Sequence, residues 1–373
     1  MPMLALLAAW QARPTPRTVA LGALPALPLL LVAAASAMWS ITPAASAARA
    51  GLLVLEIGCA AMLAKSLPAR ALPALAASIA FAAALILGEL LAGGPLTQAL
   101  RGMPPEAVAA ALSNGTTVVV LLMPPAAAFL WRTRHRAAAA GLVVLVAAAA
   151  LAGHQLAAQA GLLGGLAGAA AALLLPGAIR AGAAMAAGVI LAMPLVLPLP
   201  LALACRAVAI KLSITHRIHI WNFAEAMRRQ RPWLGWGLET TRAIPGGRAH
   251  ADLWTPCGVP VPPAEHLPAT ELLPLHTHNG AIQVWLELGP AGALAVCALL
   301  LALAWLARAP DRAGRAAQAA TLAGAVVIAL VSYGAWQGWW VATLALAVAA
   351  CAALNPAGLS PASARHPPPP SGR

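Results

Sequence analysis

"LPLHTHNGAIQVWLELGPAG", residues 273–292, is the stretch on which the reading of this chain turns. It opens with two histidines, His276 and His278, and an asparagine, Asn279, then runs into residues whose only polar side chains are Gln283 and Glu287, and the apolar run continues to residue 307. A helix rises 1.5 Å per residue, so about 20 apolar residues cross the roughly 30 Å of a bilayer's hydrocarbon core. Residues 281–307 therefore read as a membrane span, with titratable groups at its threshold.

Working outward, comparable runs recur at 19–41, 47–64, 71–93, 107–130, 137–153, 156–175, 181–204, 316–334 and 337–354. The chain is 61% hydrophobic and 9% charged over 373 residues, far from the roughly 25% charged of soluble domains. The fold class that follows is an all-α polytopic membrane protein with about ten transmembrane helices and one long loop. Its divisions are the N-terminal transmembrane helices, residues 1–204; an external loop, 205–280; the C-terminal transmembrane helices, 281–354; and a Pro-rich tail, 355–373, expected to be disordered. No internal repeat stands out.

A net charge of +13 would point to nucleic acid in a soluble chain, but here the basic residues gather in alternate loops and no nucleic-acid partner is implied. Arg13 with Arg17, Lys65 with Arg70, Arg132 with Arg134 and Arg136, Arg180, Arg308 with Arg312 and Arg315, and Arg365 with Arg373 fall on one side, which the positive-inside rule makes cytoplasmic. Both termini are then inside and the long loop is outside, periplasmic in a bacterial inner membrane. The opposite short connections hold only Arg49 and Arg101. "AASAA", residues 44–48, resembles a signal-peptidase site, but the run before it is longer than a signal-peptide core and reads as a retained anchor.

The five cysteines form no C-x-x-C and imply no metal site. Cys205 and Cys257 share the long loop, and spacing alone leaves open whether they pair. The loop concentrates His216, His219, His250, His266, His276 and His278 with Glu225, Glu239, Asp252, Glu265 and Glu271. "THRIHIWNFAEAMRRQRPWLGWG", from Thr215, reads as a helix capped by Thr215 and stopped at Pro232, with Ile220, Phe223, Ala224 and Met227 on one face against the outer membrane surface. On its other side Arg217, Trp221, Glu225 and Arg228 follow at helical spacing, so Trp221 is placed to brace Arg217, whose guanidinium suits a phosphate. Arg228, Arg229 and Arg231 read as anchors to anionic membrane lipids. Arg242 lies in "LETTRAIPGG" beside Pro245 and two glycines, and the plain alternative for it is a solvated side chain. For His276 and His278 the plain alternative is a pair of interfacial residues capping the next helix.

"HTHNGAIQVWLELGPAG" resembles the motif of the O-antigen ligase and O-antigen polymerase superfamily: His278, Asn279, nine residues, Gly289, two residues, Gly292. "HRIHIWNFAEAMRRQRPWLGWG" and "TRAIPGG" are similar to the preceding stretches of the same family, so the likeness covers 215–292. The resemblance implies His278 as the catalytic histidine and Arg217 and Arg242 as phosphate-binding residues. Asn279 and His276 are then expected beside the substrate, Asn279 also fits a structural role in capping the helix or orienting the histidine, and Gly289 and Gly292 allow close approach of helices. It further implies a metal-independent, inverting glycosyltransferase without a cofactor. Such an enzyme moves a glycan from a polyprenyl diphosphate, such as undecaprenyl diphosphate, to lipid A-core or another glycan acceptor. Two departures stand out: the family commonly has about twelve spans, and the serine–arginine pair that often opens a middle helix is replaced here by "GHQLAAQAG", leaving Gln155 or Gln159 to line the site or to pack.

Elementary chemistry agrees with that implication. A lipid diphosphate is already a good leaving group, so transfer needs positive charge on it and a base at the acceptor hydroxyl. Arginine's planar fork grips two oxygens and keeps its proton, while histidine accepts one near neutral pH. Three intramembrane acids, Glu56, Glu89 and Glu287, are functional candidates by position; Glu287 lies about 180° around the helix from His278 and does not read as its partner. A polymerase, acting on another lipid-linked repeat, is the alternative enzyme, and a transporter using Glu56 and Glu89 is the alternative without chemistry.

Overall fold

The computed structural model describes residues 15–208, 212–259, 270–309 and 311–355. His266, Glu265, Arg13 and the Pro-rich tail with Arg365 and Arg373 lie outside the described residues. Among the described residues the only extended pairing is an isolated bridge between His250 and Glu271. Eight helices among the described residues are long and apolar enough to cross a membrane: α1 (Pro16–Met38, jointed at Pro25 and Pro28), α2 (Pro43–Ser66), α3 (Ala69–Leu91), α4 (Pro105–Arg132), α6 (Leu156–Leu174), α7 (Ala178–Val196), α10 (Gly280–Leu306) and α11 (Arg312–Val331). Two shorter apolar helices, α5 (Arg136–Ala152) and α12 (Gly338–Ala353), complete the set that hydropathy predicts. The chain is a polytopic, all-helical membrane protein. Between α7 and α10 the loop carries α8 (Leu201–Val208) and α9 (Leu212–Gln230).

Lipid offers helices no hydrophobic drive to associate, so close packing of small residues does that work. Helices α6 and α11 meet most extensively. Along α6 the glycines at 161, 164, 165 and 168 face Ile328, Val327, Ala320 and Ala319, and a Cβ at Gly168 would stand 2.7 Å from the Ala319 carbonyl oxygen.

The two ends of the bundle sort as the basic residues predict. At one end Arg132 pairs with Asp311 and donates to the Leu354 carbonyl, Arg180 lies 4.4 Å from the Trp305 ring, and Gly22 abuts Lys65. At the other, Trp39 donates to the Leu234 carbonyl, Ser46 to the Leu238 carbonyl, and Tyr333 shares a hydrogen bond with Thr117. The long loop therefore shares its end of the bundle with the connections after α1 and α11.

Several expectations need correction. Arg49 is not in a loop: it lies inside α2, buried, paired with Glu56 at 2.7 Å. The seventh span ends at Val196, and Pro198 and Pro200 separate it from α8. Thr215 caps nothing, since α9 begins at Leu212 and the Thr215 hydroxyl donates to the Ala204 carbonyl of α8. The apolar face of α9 packs on protein, where Ile220 and Ala224 are buried with Trp236, Leu273, Ile282 and Leu286. Arg228 and Arg229 both pair with the buried carboxylate of Glu225, while Arg231 donates to the Trp39 carbonyl and lies over Trp236. These three arginines hold the loop to itself and to α1.

Cys205 and Cys257 form a disulfide linking α8 to the turn at 255–257. Glu89 accepts the amides of Leu96 and Thr97, capping the short helix Pro95–Arg101. With Glu56 held by Arg49, both acids on which a transporter would rest are occupied within the protein.

If the α6–α11 contact depends on absent side chains, Gly168→Leu should lower stability by about 1–3 kcal/mol, the usual cost of overpacking. Gly188→Leu, where an added Cβ meets nothing within 4 Å, should be near neutral. Thermal unfolding of both variants in detergent measures the difference, and equal values would remove this contact from the account of the fold.

Candidate functional site

The site begins with a break in α10. Pro290 has no amide to donate and Gly289 takes φ 61°, ψ −159°, so the helix kinks about two and a half turns after its start at Gly280. The freed carbonyls of Leu286 and Glu287 accept from the amides of Trp236 and Gly237 at 3.0 and 2.8 Å. The segment after α9 thus slots into the kink, and there is room only because positions 235 and 289 are glycine: a Cβ on Gly289 would stand 2.4 Å from the Trp233 carbonyl oxygen. The close approach at Gly289 is made by this loop, not by a neighbouring helix, and at Gly292 a Cβ would meet Leu288 of the same helix.

Glu287, wholly buried at the kink, accepts five hydrogen bonds. The amide of Glu239 donates at 2.8 Å, that of Thr241 at 3.3 Å, Gln283 Nε2 at 3.1 Å and Trp336 Nε1 at 2.7 Å, and the Thr241 hydroxyl adds a short contact. A buried carboxylate is tolerated only when so satisfied. The sequence left its role open; here it fixes the residue preceding Arg242 and ties the 332–337 connection to α10. Gln283 Oε1 accepts the Ala335 amide at 2.9 Å, and Gly334 lies so close to His276 that a Cβ there would be 3.1 Å from the histidine's own.

At the top of α10, Asn279 is the N-cap, its Oδ1 accepting from the Ile282 amide at 3.1 Å. Thr277 closes the turn by donating to the Asn279 carbonyl at 2.6 Å, and Trp221 Nε1 of α9 donates to the Thr277 carbonyl at 2.9 Å. That bond is what Trp221 contributes: it clamps α9 to the histidine turn. His278 adopts φ 52°, in the left-handed region that side chains other than glycine avoid. Its amide donates to His276 Nδ1 at 3.1 Å, and the two rings stand edge to face 4.2 Å apart.

Arg217, on α9, is an electrostatic neighbour of both His276 and His278, and Arg242 is a neighbour of His276. The structure therefore gathers the residues singled out from sequence, His276, His278, Asn279, Arg217 and Arg242, about one turn. Burial and then the Arg217 and Arg242 charges push His276 down to about 4. Burial, His276, Arg217 and His216 push His278 down to about 3. Burial also lowers Arg217, opposed by Tyr333, yet a guanidinium keeps its proton at neutral pH. The Nε of Arg217 and Nδ1 of His278 are buried with no hydrogen-bond partner among the described residues. Eight side chains among the described residues carry such an atom, His219 Nε2 among them, and those of Arg217 and His278 fall beside the same turn.

The other candidates divide. His216 Nε2 lies 2.8 Å from the Glu271 carbonyl, and His219 lies near His216 and Asp252. Arg242 is exposed and, with Arg248, lines a depression of about 360 Å³ beside Ile244 and Gly246. Gln155 donates to the Ala109 carbonyl and Gln159 to the Ala150 carbonyl at 3.3 Å, so both pack. Sequence reasoning missed Tyr333, Gln283 and Trp336; the polar break "SYGAWQG" between two spans, on the long loop's side by charge alternation, was the available signal.

No family model matches the chain. It is similar to proteins named "Putative polysaccharide ligase" in Rickettsia conorii, 28% identical over 142 residues, and in Rickettsia prowazekii, 32% identical over 136 residues. In both cases the likeness takes in 36% of this chain and 31% of the relative, so it spans about a third of the length of either protein.

Glu287→Ala strands the five donors and should lower stability by at least about 3 kcal/mol, at about 1–3 kcal/mol for each buried group left unsatisfied. Glu287→Gln, which keeps the shape and one good acceptor oxygen, should cost less. Thermal unfolding of the two variants decides, and an alanine variant as stable as the parent would mean that the 237–241 turn is held from elsewhere.

Proposed function

We propose that the chain is a polysaccharide ligase-like glycosyltransferase that moves a glycan from a polyprenyl diphosphate to a glycan acceptor such as lipid A-core. The observation that carries this reading is the buried, unpartnered Arg217 guanidinium nitrogen beside the His276–His278 turn. An anion is the ligand that such a group lacks, and a diphosphate offers the paired oxygens its fork prefers. The names of the Rickettsia relatives support the polysaccharide ligase class. The Cys205–Cys257 disulfide supports a loop facing an oxidising compartment, the periplasm, with both termini cytoplasmic.

In this mechanism Arg217 and Arg242 hold the diphosphate and offset the charge that grows as the bond from the sugar's anomeric carbon to the phosphate oxygen breaks. His278 accepts the proton of the acceptor hydroxyl as that oxygen attacks the anomeric carbon from the opposite face, inverting it. The products are the new glycosidic bond and free polyprenyl diphosphate. Positive charge from arginine takes the place a metal ion would fill, and no nucleotide is consumed.

Reconstituted into liposomes with lipid-linked glycan and acceptor, the protein is expected to form product in the presence of a chelator. Arg217→Lys should lose most transfer, His278→Ala about 10²-fold or more, and Arg229→Lys little, since that side chain is 60% exposed and bonds only Glu225 among the described residues. Lengthening of single lipid-linked repeats instead of transfer to lipid A-core would favour the polymerase, and absence of any new glycosidic bond would sink both enzyme readings.

The pH dependence follows from the same charges. A base works when neutral, above its pKa, so in the free protein the acidic limb should lie well below the ordinary histidine value of about 6.5. A diphosphate at Arg217 cancels one of the charges that hold His278 down, so its pKa rises in the complex. The acidic limb of kcat, which reports the complex, should therefore lie at higher pH than that of kcat/KM, which reports the free protein. Coincident limbs near 6.5 would assign the base elsewhere.

A further inference from the structure

The chain has one tyrosine, and it stands on the short connection between α11 and α12. The connection is tied to α10 at two points, by the Ala335 amide to Gln283 and by the Trp336 indole to Glu287, and Gly334, the residue after Tyr333, stands against His276. Its ring stands edge to face on Trp339 at 4.6 Å. Its hydroxyl lies 2.8 Å from Thr117 Oγ1, on a wholly buried residue of α4. The neighbouring Thr116 bonds the Leu112 carbonyl one turn back, the usual arrangement for a threonine in a span, whereas Thr117 bonds across to the phenol.

The ring packing alone would be met equally by phenylalanine, so the hydroxyl needs its own account. The cation acting on it is Arg217, the same guanidinium whose Nε has no partner. Burial raises the phenol above its ordinary value, outweighing the hydroxyls of Thr117, Ser113 and Ser332 and the Arg217 charge. At neutral pH it is therefore an uncharged O–H, a donor that does not neutralise the arginine. Gly334 stands against His276, and Trp221, one helical turn after Arg217, bonds the Thr277 carbonyl, so the neutral phenol and the unpartnered Arg217 nitrogen flank the same histidine turn, a combination that suits an anion.

We propose that the Tyr333 hydroxyl is a ligand-binding group, donating a hydrogen bond to a phosphate oxygen held at Arg217, with Thr117 steadying the phenol. This rests on the reading that a lipid diphosphate binds at Arg217. It puts a contact to the ligand on the connection after α11, outside the long loop, and makes the mouth of α4 a wall of the site. The bond is a contact only, and the proton stays on the phenol.

Because there is a single tyrosine, the full chain grown with 3-fluorotyrosine and held in lipid nanodiscs gives one fluorine resonance to follow. Farnesyl diphosphate is the probe. The resonance is expected to shift saturably on titration, and calorimetry should show binding weakened about tenfold by Tyr333→Phe, roughly the loss of one hydrogen bond to a charged group. Arg217→Lys should weaken it at least as much, and Thr117→Val by no more than about twofold. An unmoved resonance while farnesyl diphosphate binds in an Arg217-dependent way would overturn the role of Tyr333 and leave the function intact. Equal losses from Thr117→Val and Tyr333→Phe would also overturn it, since the hydroxyl pair would then act only through packing. No binding of farnesyl diphosphate by the unaltered chain would instead remove the anion from Arg217 and take both readings with it. Should Tyr333→Phe fail to fold, the resonance of the unaltered chain still decides.

Discussion

A carboxylate buried in a membrane span is costly, and α10 surrounds the one it carries, Glu287, with five donors drawn from three separate segments. This is possible only because the helix is broken at the next turn. An intact helix would bond its own carbonyls, and Trp236 and Gly237 would have nothing to donate to. Kink and carboxylate therefore act as one device: the first admits the segment after α9, and the second fixes it at Thr241, next to Arg242. Through Trp336 and Gln283 the same device holds the connection that bears Gly334 and Tyr333. The groups about the histidine turn come from distant parts of the chain, and their common register is set here.

Charge near the turn is left unbalanced. Glu225 is taken up by Arg228 and Arg229, whose bonds hold it below the usual carboxylate range, and Asp252 accepts the amides of Trp254 and Thr255. Glu239 is raised by burial despite the attraction of Arg49 and Arg242. No salt bridge joins Arg217 to a carboxylate among the described residues. A free site with surplus positive charge and imidazoles pushed toward neutrality is disfavoured by its own repulsion, and an anion relieves that repulsion. The low basicity of His276 and His278 follows first from burial and then from these neighbouring charges.

Much of this was legible in the sequence because lipid makes two signals strong. Apolar length gave the spans and basic alternation gave which connections share an end, and the structure sorts Arg132, Arg180 and Lys65 away from Trp39 and Tyr333 accordingly. Asn279 was readable as a cap since that role is local. What failed was which partner each charged side chain takes and what covers each apolar face. Arg49 was counted with a connection although the apolar run 47–64 holds both it and Glu56, seven residues or about two turns on, where the two pair on one helix face. The arginines at 228, 229 and 231 looked like lipid anchors because the burial of Glu225 and the arrival of Trp39 are tertiary facts. Periodicity found the apolar face of α9 correctly but took its cover to be lipid, whereas Ile282, Leu286 and Trp236 cover it.

The chain of electrostatic neighbours gives the site a direction. Tyr333 acts on Arg217, Arg217 on both histidines, His276 also meets Arg242, and Arg242 meets Glu239, itself a neighbour of Arg49. One end of this series is anchored on Thr117 inside α4 and the other opens on the depression lined by Arg242 and Arg248. A ligand with a lipid tail and a polar glycan has the same polarity. Under the proposed function its diphosphate belongs near Arg217, where burial makes each charge count for more, and its sugars extend toward the exposed arginines. His276 feels both cations, so an anion bound at either one changes its basicity. His278 feels Arg217 and stands 4.2 Å from the His276 ring, so under the same reading the charge of a phosphate at Arg217 reaches both imidazoles.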